Sequence, residues 1–376
     1  MKNSQKTVVV AMSGGVDSSV AALLLHNEGF NVIGVTMRLF PQNEETNYSL
    51  NKSCCSLDDV EDARSVCRQI GAKHYYLNFE KEFNEHVVNY FISEYQKGRT
   101  PFPCLACNDR LKFDFLLKRA EFMKADYIAT GHYASIIETK NEYKLIKGID
   151  ETKDQSYVLF NLTQNIMKKL KLPVGIFPKS EIRQIAEDHN LINAKKPDSQ
   201  DICFIPDGDY KKFINNKIDQ NQGLIVDSEG NKLGNHSGIH NFTIGQRKGI
   251  GIESKGKPLF VTKIYPSKNI VEVGPANELM QTKAHISKVN LISKKNNISD
   301  KEIFAKIRYK STPAKGKLKI KTDGNAEFIF DEPQRAITPG QALVFYCDNE
   351  VIGGGFIEYE DTKSITDTNK EIVKSY

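Results

Sequence analysis

The sequence lacks any apolar run of roughly 18 residues or more, the length that a membrane-spanning helix needs. Its early apolar stretch, Thr7–Met12, is too short for the core of a signal peptide and leads directly into a glycine motif. Internal repeats and low-complexity segments are also lacking. We therefore expect an ordinary globular protein that does not span a membrane and acts in the cytoplasm.

Cysteine is scarce, and the charge is nearly balanced. The seven cysteines in 376 residues are odd in number and unevenly spaced, which is typical of reduced thiols and argues against a disulfide framework. Some of these thiols are therefore expected to be reactive. Lysine and arginine exceed aspartate and glutamate by 52 − 47 = +5, an excess that permits an anionic partner without demonstrating one.

The chain divides into two regions with different sequence patterns. Up to about residue 216, apolar β-rich runs alternate with helical patterns, which predicts an α/β domain with a doubly wound parallel sheet. These runs are Thr7–Met12, Val32–Leu39, His74–Leu77 and Tyr127–Thr130. From Leu224 onward, short strands are separated by glycine, proline and asparagine. We expect a catalytic domain over 1–216, a small β-rich domain over 217–282, a C-terminal β-barrel over 283–362 and a polar tail over 363–376.

The most informative motif is Ser13–Ser19, SGGVDSS, between the first strand and the first helix. Its paired glycines let successive N–H groups point at one spot, and the helix N-terminus adds a positive end, so the loop predicts an anion cradle. It is not a Walker A loop, because the required lysine is missing. Asp17 would repel a phosphate unless a cation intervenes, so we infer a Mg²⁺ ion that bridges Asp17 and a polyphosphate.

Two cysteines distant in sequence form the second candidate site. Cys107 precedes the helical pattern of Arg110–Met123, and a helix start favours a thiolate. Cys203 follows a break at Lys195–Pro197. Sulfur transfer needs such a pair: one thiol carries the extra sulfur as a persulfide, and the other attacks it as a disulfide forms. Taken singly, each cysteine is better explained as a packed, unreactive residue.

The chain resembles two nested families. The SGGVDSS loop is similar to that of the PP-loop ATP pyrophosphatases, which cleave ATP to AMP and pyrophosphate. The other matching stretches resemble the tRNA-specific 2-thiouridylases, which thiolate the uridine at the first anticodon position. These stretches are CCSLDDVEDAR, PCLACNDRLKF, ATGHYA, KDQSYVLF, SQDICFI, FTIGQRKGIGI, IRYKSTP and PGQALVFY. They span nearly the whole chain.

This resemblance implies a role for each matched residue. It makes Cys107 the nucleophile and resolving thiol and Cys203 the persulfide carrier. The implied ATP-binding residues are Ala11, Met12, Ser13, Gly14, Gly15, Val16, Asp17, Ser18, Met37 and Gly131. The implied target-base segment is Phe102, Pro103 and Cys104, where many relatives have Asn-Pro-Asp. The implied tRNA contacts are His132, Lys153, Asp154, Gln155, Arg308, Tyr309 and Gln341.

The resemblance also implies the reactants. The cofactors are ATP and Mg²⁺, and the substrates are tRNAs with lysine, glutamate and glutamine anticodons. The sulfur comes from a persulfide donor such as a cysteine desulfurase or a sulfur relay protein. Independently, residues 301–321 contain eight lysines or arginines against one glutamate. Such a strand either contacts nucleic acid or is an edge strand that lysines protect from aggregation.

Three alternative functions stay open at this point. Cys104, Cys107 and Cys203 could ligate a [4Fe–4S] cluster on the same tRNA substrate, since the C-x-x-C spacing permits it. The chain could also be a PP-loop amidotransferase or ligase that acts on a small molecule, or an RNA-binding module without catalytic activity. AMP formation without RNA would favour the ligase, and tRNA binding without turnover would favour the binding module.

Overall fold

The computed structural model describes residues 6–40, 57–198, 202–205, 208–253, 256–293 and 301–360. The predicted polar tail lies outside these ranges, as do the neighbouring cysteines Cys54 and Cys55. Across the described ranges, no helix is both long and apolar enough to cross a membrane. The described residues form three β-sheets, of five, four and eight strands.

The secondary structure follows the two regions of the sequence. The strands are β1 (Thr7–Ala11), β2 (Asn31–Arg38), β3 (Lys73–Asn78), β4 (Tyr127–Ala129), β5 (Ala134–Glu138), β6 (Tyr143–Lys147), β7 (Leu170–Lys171), β8 (Gly223–Val226), β9 (Lys232–His236), β10 (Phe260–Tyr265), β11 (Ile270–Gly274), β12 (Met280–Leu291), β13 (Ile303–Lys306), β14 (Ala314–Ile320), β15 (Ala326–Arg335), β16 (Ala342–Cys347) and β17 (Glu350–Glu358). The α-helices are α1 (Val16–Asn27), α2 (Leu57–Gln69), α3 (Glu80–Phe83), α4 (Asn89–Gln96), α5 (Pro103–Ala106), α6 (Leu116–Phe122), α7 (Gln164–Lys169), α8 (Lys179–Asp188) and α9 (Tyr210–Asn215). Two π-helical stretches continue α-helices, at Asn84–Val88 and Cys107–Phe115. The 3₁₀ helices are Ser156–Leu159, Ile239–Asn241, Pro266–Lys268 and Ala276–Leu279.

The first sheet is parallel and has the order β3-β2-β1-β4-β7. Successive side chains of a strand point to opposite faces, and β1 accordingly divides between two cores. Val8 and Val10 join one core with residues of α1, α2 and α8, whereas Val9 joins the other with residues of α6 and α7. Helices therefore cover both faces, and the prediction of a doubly wound α/β domain is confirmed.

The second sheet is small and has the order β10-β11-β8-β9. Its strands pair antiparallel except for β8 and β11, which are parallel. The fully buried Ile225, Val261, Val271 and Val273 form its core. The predicted small β-rich domain is thus present between the parallel sheet and the barrel.

The third sheet closes into the predicted barrel. Six strands follow the order β12-β15-β14-β13-β16-β17, and antiparallel pairing of β12 with β17 closes the ring. Phe328, Phe330 and Phe345 lie in its core. The sequence did not predict that the β5–β6 hairpin of the first domain extends this sheet, because β6 pairs with β17. One hydrogen-bonded sheet therefore joins the catalytic half to the barrel.

Candidate active site

The Ser13–Ser19 loop lies between β1 and α1, as the sequence predicts. Gly14 has a φ of 74°, and a Cβ there would lie 2.3 Å from the carbonyl oxygen of Asp59. Both the backbone conformation and the contact therefore require glycine. Inside the loop, the Ser18 hydroxyl donates to the carbonyl of Gly15 and accepts from the N–H of Ser13. These bonds fix the loop before any ligand arrives.

Two more of the predicted ATP-binding residues lie on neighbouring strands. Met37 is near the carboxyl end of β2, and Gly131 follows β4; both strands flank β1. A Cβ on Gly131 would lie 2.7 Å from the Asp17 carbonyl carbon and from the Ser18 nitrogen. The turn after β4 thus packs directly on the loop. The carboxyl ends of three adjacent strands converge here, which is where open α/β sheets bind ligands.

Asp17 has protein partners that the sequence analysis missed. The ammonium of Lys179 lies 2.7 and 2.9 Å from its two carboxylate oxygens, and the Tyr133 hydroxyl donates to it at 2.7 Å. Burial and the hydrogen bond to this carboxylate raise the pKa of Tyr133, so the phenol keeps its proton. The cation beside Asp17 is therefore a lysine of the chain itself.

The predicted Mg²⁺ site does not fit these residues by themselves. Both carboxylate oxygens of Asp17 already accept hydrogen bonds. In the part of the chain that the structure describes, no three His, Cys, Asp or Glu side chains lie close enough together to hold a metal ion. Cys104, Cys107 and Cys203 are among the described residues that fail this test, so the geometry gives no support to a [4Fe–4S] cluster.

The helix that carries Cys107 begins earlier than predicted. Its first turn is Pro103–Ala106, with Phe102 as N-cap and Pro103 as the first helical residue. Cys107 opens the π-helical stretch that follows, and its N–H already bonds to the carbonyls of Pro103 and Cys104. Since the dipole effect falls off within the first turn, the helix-start argument for a Cys107 thiolate is wrong. It applies instead to the exposed Cys104.

Cys107 and Cys203 meet at one apolar cluster despite their distance in sequence. The cluster has a buried core of Met37, Leu39, Phe79, Phe83, Val87 and Leu111. Both half-buried cysteines pack against that core. The cluster also contains Met37, a predicted ATP-binding residue near the carboxyl end of β2. The fold therefore brings the two predicted thiols to a shared wall beside the predicted adenosine site.

The predicted target-base segment packs against rings from both the barrel and the first domain. The Phe102 ring lies 6.0 Å from that of Tyr309 and 6.1 Å from that of Tyr157. Just before it, the carbonyl of Thr100 accepts a hydrogen bond of 2.8 Å from the Gln341 amide. Gln341 thus contacts the chain two residues before this segment. A tRNA contact by Gln341 stays a prediction. Of the segment itself, Pro103 is buried and Cys104 is exposed.

The other predicted tRNA contacts differ in accessibility. His132 is 8% exposed, and its Nδ1 lies 2.7 Å from the Thr130 hydroxyl oxygen. Burial, together with the nearby Lys112 charge, holds the pKa of His132 well below its usual value. A direct tRNA contact by His132 stays a prediction.

The segment from Lys153 to Gln155 lies against the nucleotide site. The Lys153 ammonium is 2.8 Å from an oxygen of Asp198. The Asp154 carboxylate accepts the N–H groups of Gly148 and Ser156. The Gln155 side-chain oxygen accepts the N–H of Tyr133, whose hydroxyl reaches Asp17. In the barrel, Arg308 donates to the carbonyls of Arg335 and Ala336. RNA contacts by these residues stay predictions.

A further residue was missed because its sequence context carries no signal for it. The buried Asn193 amide donates to the carbonyl of Gly14 and to the hydroxyl of Ser19. Asn193 lies in a turn after α8 that looks like any polar loop residue in the sequence. Only the packing of this segment against the loop reveals its role.

Comparison with known proteins agrees with this architecture. Family models match three successive segments: the tRNA methyl transferase HUP domain at 6–207, the tRNA methyl transferase PRC-barrel domain at 211–275, and the aminomethyltransferase beta-barrel domain at 281–357. Among solved structures, a 4-thiouridine synthetase in complex with RNA and ATP aligns with 54% of this chain and 45% of its own, at 19% identity and a TM-score of 0.35. That similarity is too low to support an inference.

Full-length relatives are much more similar. The tRNA-specific 2-thiouridylase MnmA of Acetivibrio thermocellus is 46% identical over 359 residues, which cover 94% of this chain and 100% of the relative. That of Clostridium perfringens is also 46% identical and is covered over 99% of its length. MnmA 1 of Thermoanaerobacter pseudethanolicus is 47% identical over 362 residues. The chain belongs to the tRNA-specific 2-thiouridylase family.

Proposed function

We propose that this protein is a tRNA uridine 2-sulfurtransferase. It uses ATP to adenylate the C2 oxygen of the wobble uridine and then replaces that oxygen with persulfide sulfur. The products are 2-thiouridine, AMP and pyrophosphate. Family membership supports this reaction over a small-molecule ligase or an RNA-binding module without activity.

One observation carries the proposal. Cys107 and Cys203 pack against the same apolar cluster, and that cluster contains Met37, a proposed ATP-binding residue near the carboxyl end of β2. A base activated at the loop and two thiols that exchange one sulfur must share a single reaction volume. Neither a ligase nor a binding module needs this arrangement.

The steps balance as follows. The uridine C2 oxygen attacks the α-phosphorus of ATP and pyrophosphate leaves, which turns a poor leaving group into AMP. The terminal sulfur of a persulfide on Cys203 attacks C2 and displaces AMP. The thiolate of Cys107 then attacks the Cys203 sulfur, so that the S–S bond of the persulfide breaks and a Cys107–Cys203 disulfide forms. A thiol reductant must reopen the disulfide, and a donor must supply the next persulfide.

The finer assignments belong to the same proposal. The ATP site is Ala11, Met12, Ser13, Gly14, Gly15, Val16, Asp17, Ser18, Met37 and Gly131. Phe102, Pro103 and Cys104 lie beside the base. The residues that contact the tRNA are His132, Lys153, Asp154, Gln155, Arg308, Tyr309 and Gln341. The substrates are tRNAs with lysine, glutamate or glutamine anticodons. A cysteine desulfurase or a sulfur relay protein gives the sulfur, and Mg²⁺ accompanies the nucleotide.

The test is a reconstitution. The protein is incubated with unmodified tRNA, ATP, Mg²⁺ and a persulfide donor, and the nucleosides are analysed by mass spectrometry. We expect 2-thiouridine at the wobble position with one AMP released for each thiolation. Asp17→Asn should block adenylation and so prevent AMP release. If wild-type protein forms no 2-thiouridine, the proposal is refuted; if AMP forms equally without tRNA, the ligase function is favoured.

A further inference from the structure

Lys179 is a buried cation beside the nucleotide loop, and the proposed reaction steps give it no role. It is the first residue of α8 and is 8% exposed. Its ammonium lies between two carboxylates, at 2.7 Å from Asp17 and 2.8 Å from Asp198. It also lies 5.7 Å from the centre of the Tyr133 ring. An ammonium withdrawn from water this far requires such partners, because unpaired burial is costly.

The position of Lys179 relative to the loop suggests a ligand. Asp17 is the only acidic residue in the first turn of α1, whose N–H groups favour an anion. A carboxylate at that end opposes a bound polyphosphate, and Lys179 neutralises that carboxylate directly. The ammonium stands at the edge of the same loop, since Asp17 is part of it. An anion in the loop therefore meets a cation that the fold has already desolvated.

Asp198 holds that cation from the other side. It also binds Lys153 at 2.8 Å and Arg183 at 3.0 Å. Burial by itself would raise the pKa of Asp198, but hydrogen bonds from Lys153 and Lys179 lower it to about 2. Asp198 therefore stays ionised near neutral pH. Lys179 keeps one carboxylate partner even when a ligand draws it away from Asp17.

We propose that Lys179 is a further nucleotide-binding residue, which contacts the ATP polyphosphate at the Ser13–Ser18 loop, and that Asp198 is its positioning residue. This inference rests on the proposed ATP site but adds a residue to it. The phosphates replace Asp17 as the partner of the ammonium, while Asp198 keeps the lysine in place. Recognition is directed at phosphate and not at the adenosine.

The experiment measures binding without tRNA, by equilibrium dialysis of labelled ATP and, separately, labelled adenosine. Because one charge-assisted contact is lost, Lys179→Gln should weaken ATP binding by about 10- to 100-fold. Adenosine binding should change by less than about twofold, and Lys179→Arg should recover part of the ATP affinity. Asp198→Asn should weaken ATP binding by about 3- to 10-fold without affecting adenosine.

The matched control is Lys144→Gln. Lys144 also forms a 2.9 Å ion pair, with Glu350, but it lies in β6 and not at the loop. The control should bind ATP as wild type does. Equal loss of ATP and adenosine affinity in Lys179→Gln, or no loss of either, would overturn the role of Lys179. If wild-type protein itself binds no ATP, the proposed function fails before this inference is reached.

Discussion

At the residue scale, the surroundings of the two thiols include one shared apolar surface. Cys107 and Cys203 pack against a cluster of aliphatic and aromatic side chains. A persulfide held at such a wall is kept away from bulk water, where it would be lost to other thiols. The wall therefore suits sulfur transfer between the two cysteines.

The first prediction concerns these cysteines. Cys107→Ser and Cys203→Ser should each lower 2-thiouridine formation by at least about 1,000-fold, because a hydroxyl neither carries a persulfide nor reduces one. Cys347→Ser is the matched control, since Cys347 is a free cysteine in the barrel core and has no part in the proposed site. Mass spectrometry of the tRNA nucleosides gives the readout. Normal turnover in Cys107→Ser or Cys203→Ser contradicts the mechanism, and iron that is bound by the wild-type protein but lost in Cys104→Ser would revive the cluster alternative.

The second prediction concerns His132 and pH. Its pKa is lowered by burial, so the folded protein keeps a neutral imidazole while the unfolded chain takes a proton at about pH 6.5. The contribution of His132 to the free energy of unfolding is therefore fully present above about pH 6.5. It decreases as the pH falls below that value, by at most about 1.4 kcal/mol per pH unit.

Thermal unfolding at pH 7.5 and pH 5.5 checks this. The melting temperature of His132→Gln should fall less between the two pH values than that of wild type. His189→Gln is the control, because His189 is exposed at the end of α8. Parallel decreases in His132→Gln and wild type would contradict the assignment.

At the scale of elements, the site depends on glycines that let the Ser13–Ser19 loop pack directly against the backbone of neighbouring elements. The turn after β4 contacts the backbone of Asp17 and Ser18 through Gly131. Gly14 contacts the backbone of α2 in the same way. Contacts of this kind fix the distance between elements to a few tenths of an ångström, since backbone atoms cannot rearrange as side chains do.

The third prediction follows from that contact. Gly131→Ala places a methyl group 2.7 Å from the Asp17 and Ser18 backbone, so the turn and the loop must separate. ATP affinity should fall at least about tenfold, and the melting temperature should drop by a few degrees. Gly234→Ala is the control, because its methyl would meet only the side chain of Ile252. Wild-type ATP affinity in Gly131→Ala would contradict the close packing of this turn.

At the scale of the whole molecule, a shared sheet and an ion-pair cluster connect the barrel to the first domain. The β5–β6 hairpin continues the barrel sheet, and the Arg99 guanidinium pairs with Glu94 of α4 and Glu358 of β17. Burial would lower the pKa of Arg99, but these two carboxylates raise it. The segment that leads to Phe102 is thus anchored on both sides by Arg99.

The fourth prediction concerns the exposed lysines of β14. Their side chains alternate with half-buried residues along the strand, so one face of the strand is basic. Lys317→Ala with Lys319→Ala should weaken tRNA binding and lower its salt slope by about 2, because each phosphate contact releases counterions. Lys168→Ala, on α7, serves as the control. Filter binding across a salt series gives the slopes; an unchanged slope in the double variant means that these lysines form only a solvated face of β14, which pairs with β13 and β15 and is not an edge strand.

Local features of the sequence determined a large part of this protein. The glycine loop, the alternation of β-runs and helical patterns, and the late run of short strands are set by neighbours within a few residues, so periodicity and turn chemistry reveal them. The fold class and the loop at Ser13–Ser19 therefore came from the sequence. Motif resemblance added the family.

Only the tertiary structure decided which distant residues meet. Lys179 and Asp17 are 162 positions apart, and the wall shared by Cys107 and Cys203 and the pairing of β6 with β17 are equally non-local. No local pattern encodes these contacts, because they depend on how whole elements pack. The helix start was missed for a different, local reason: proline favours the first helical position, and the prediction of a start at Cys107 overlooked this cue at Pro103. The sequence thus determined the chemical groups, and the packing of elements decided which of them act together.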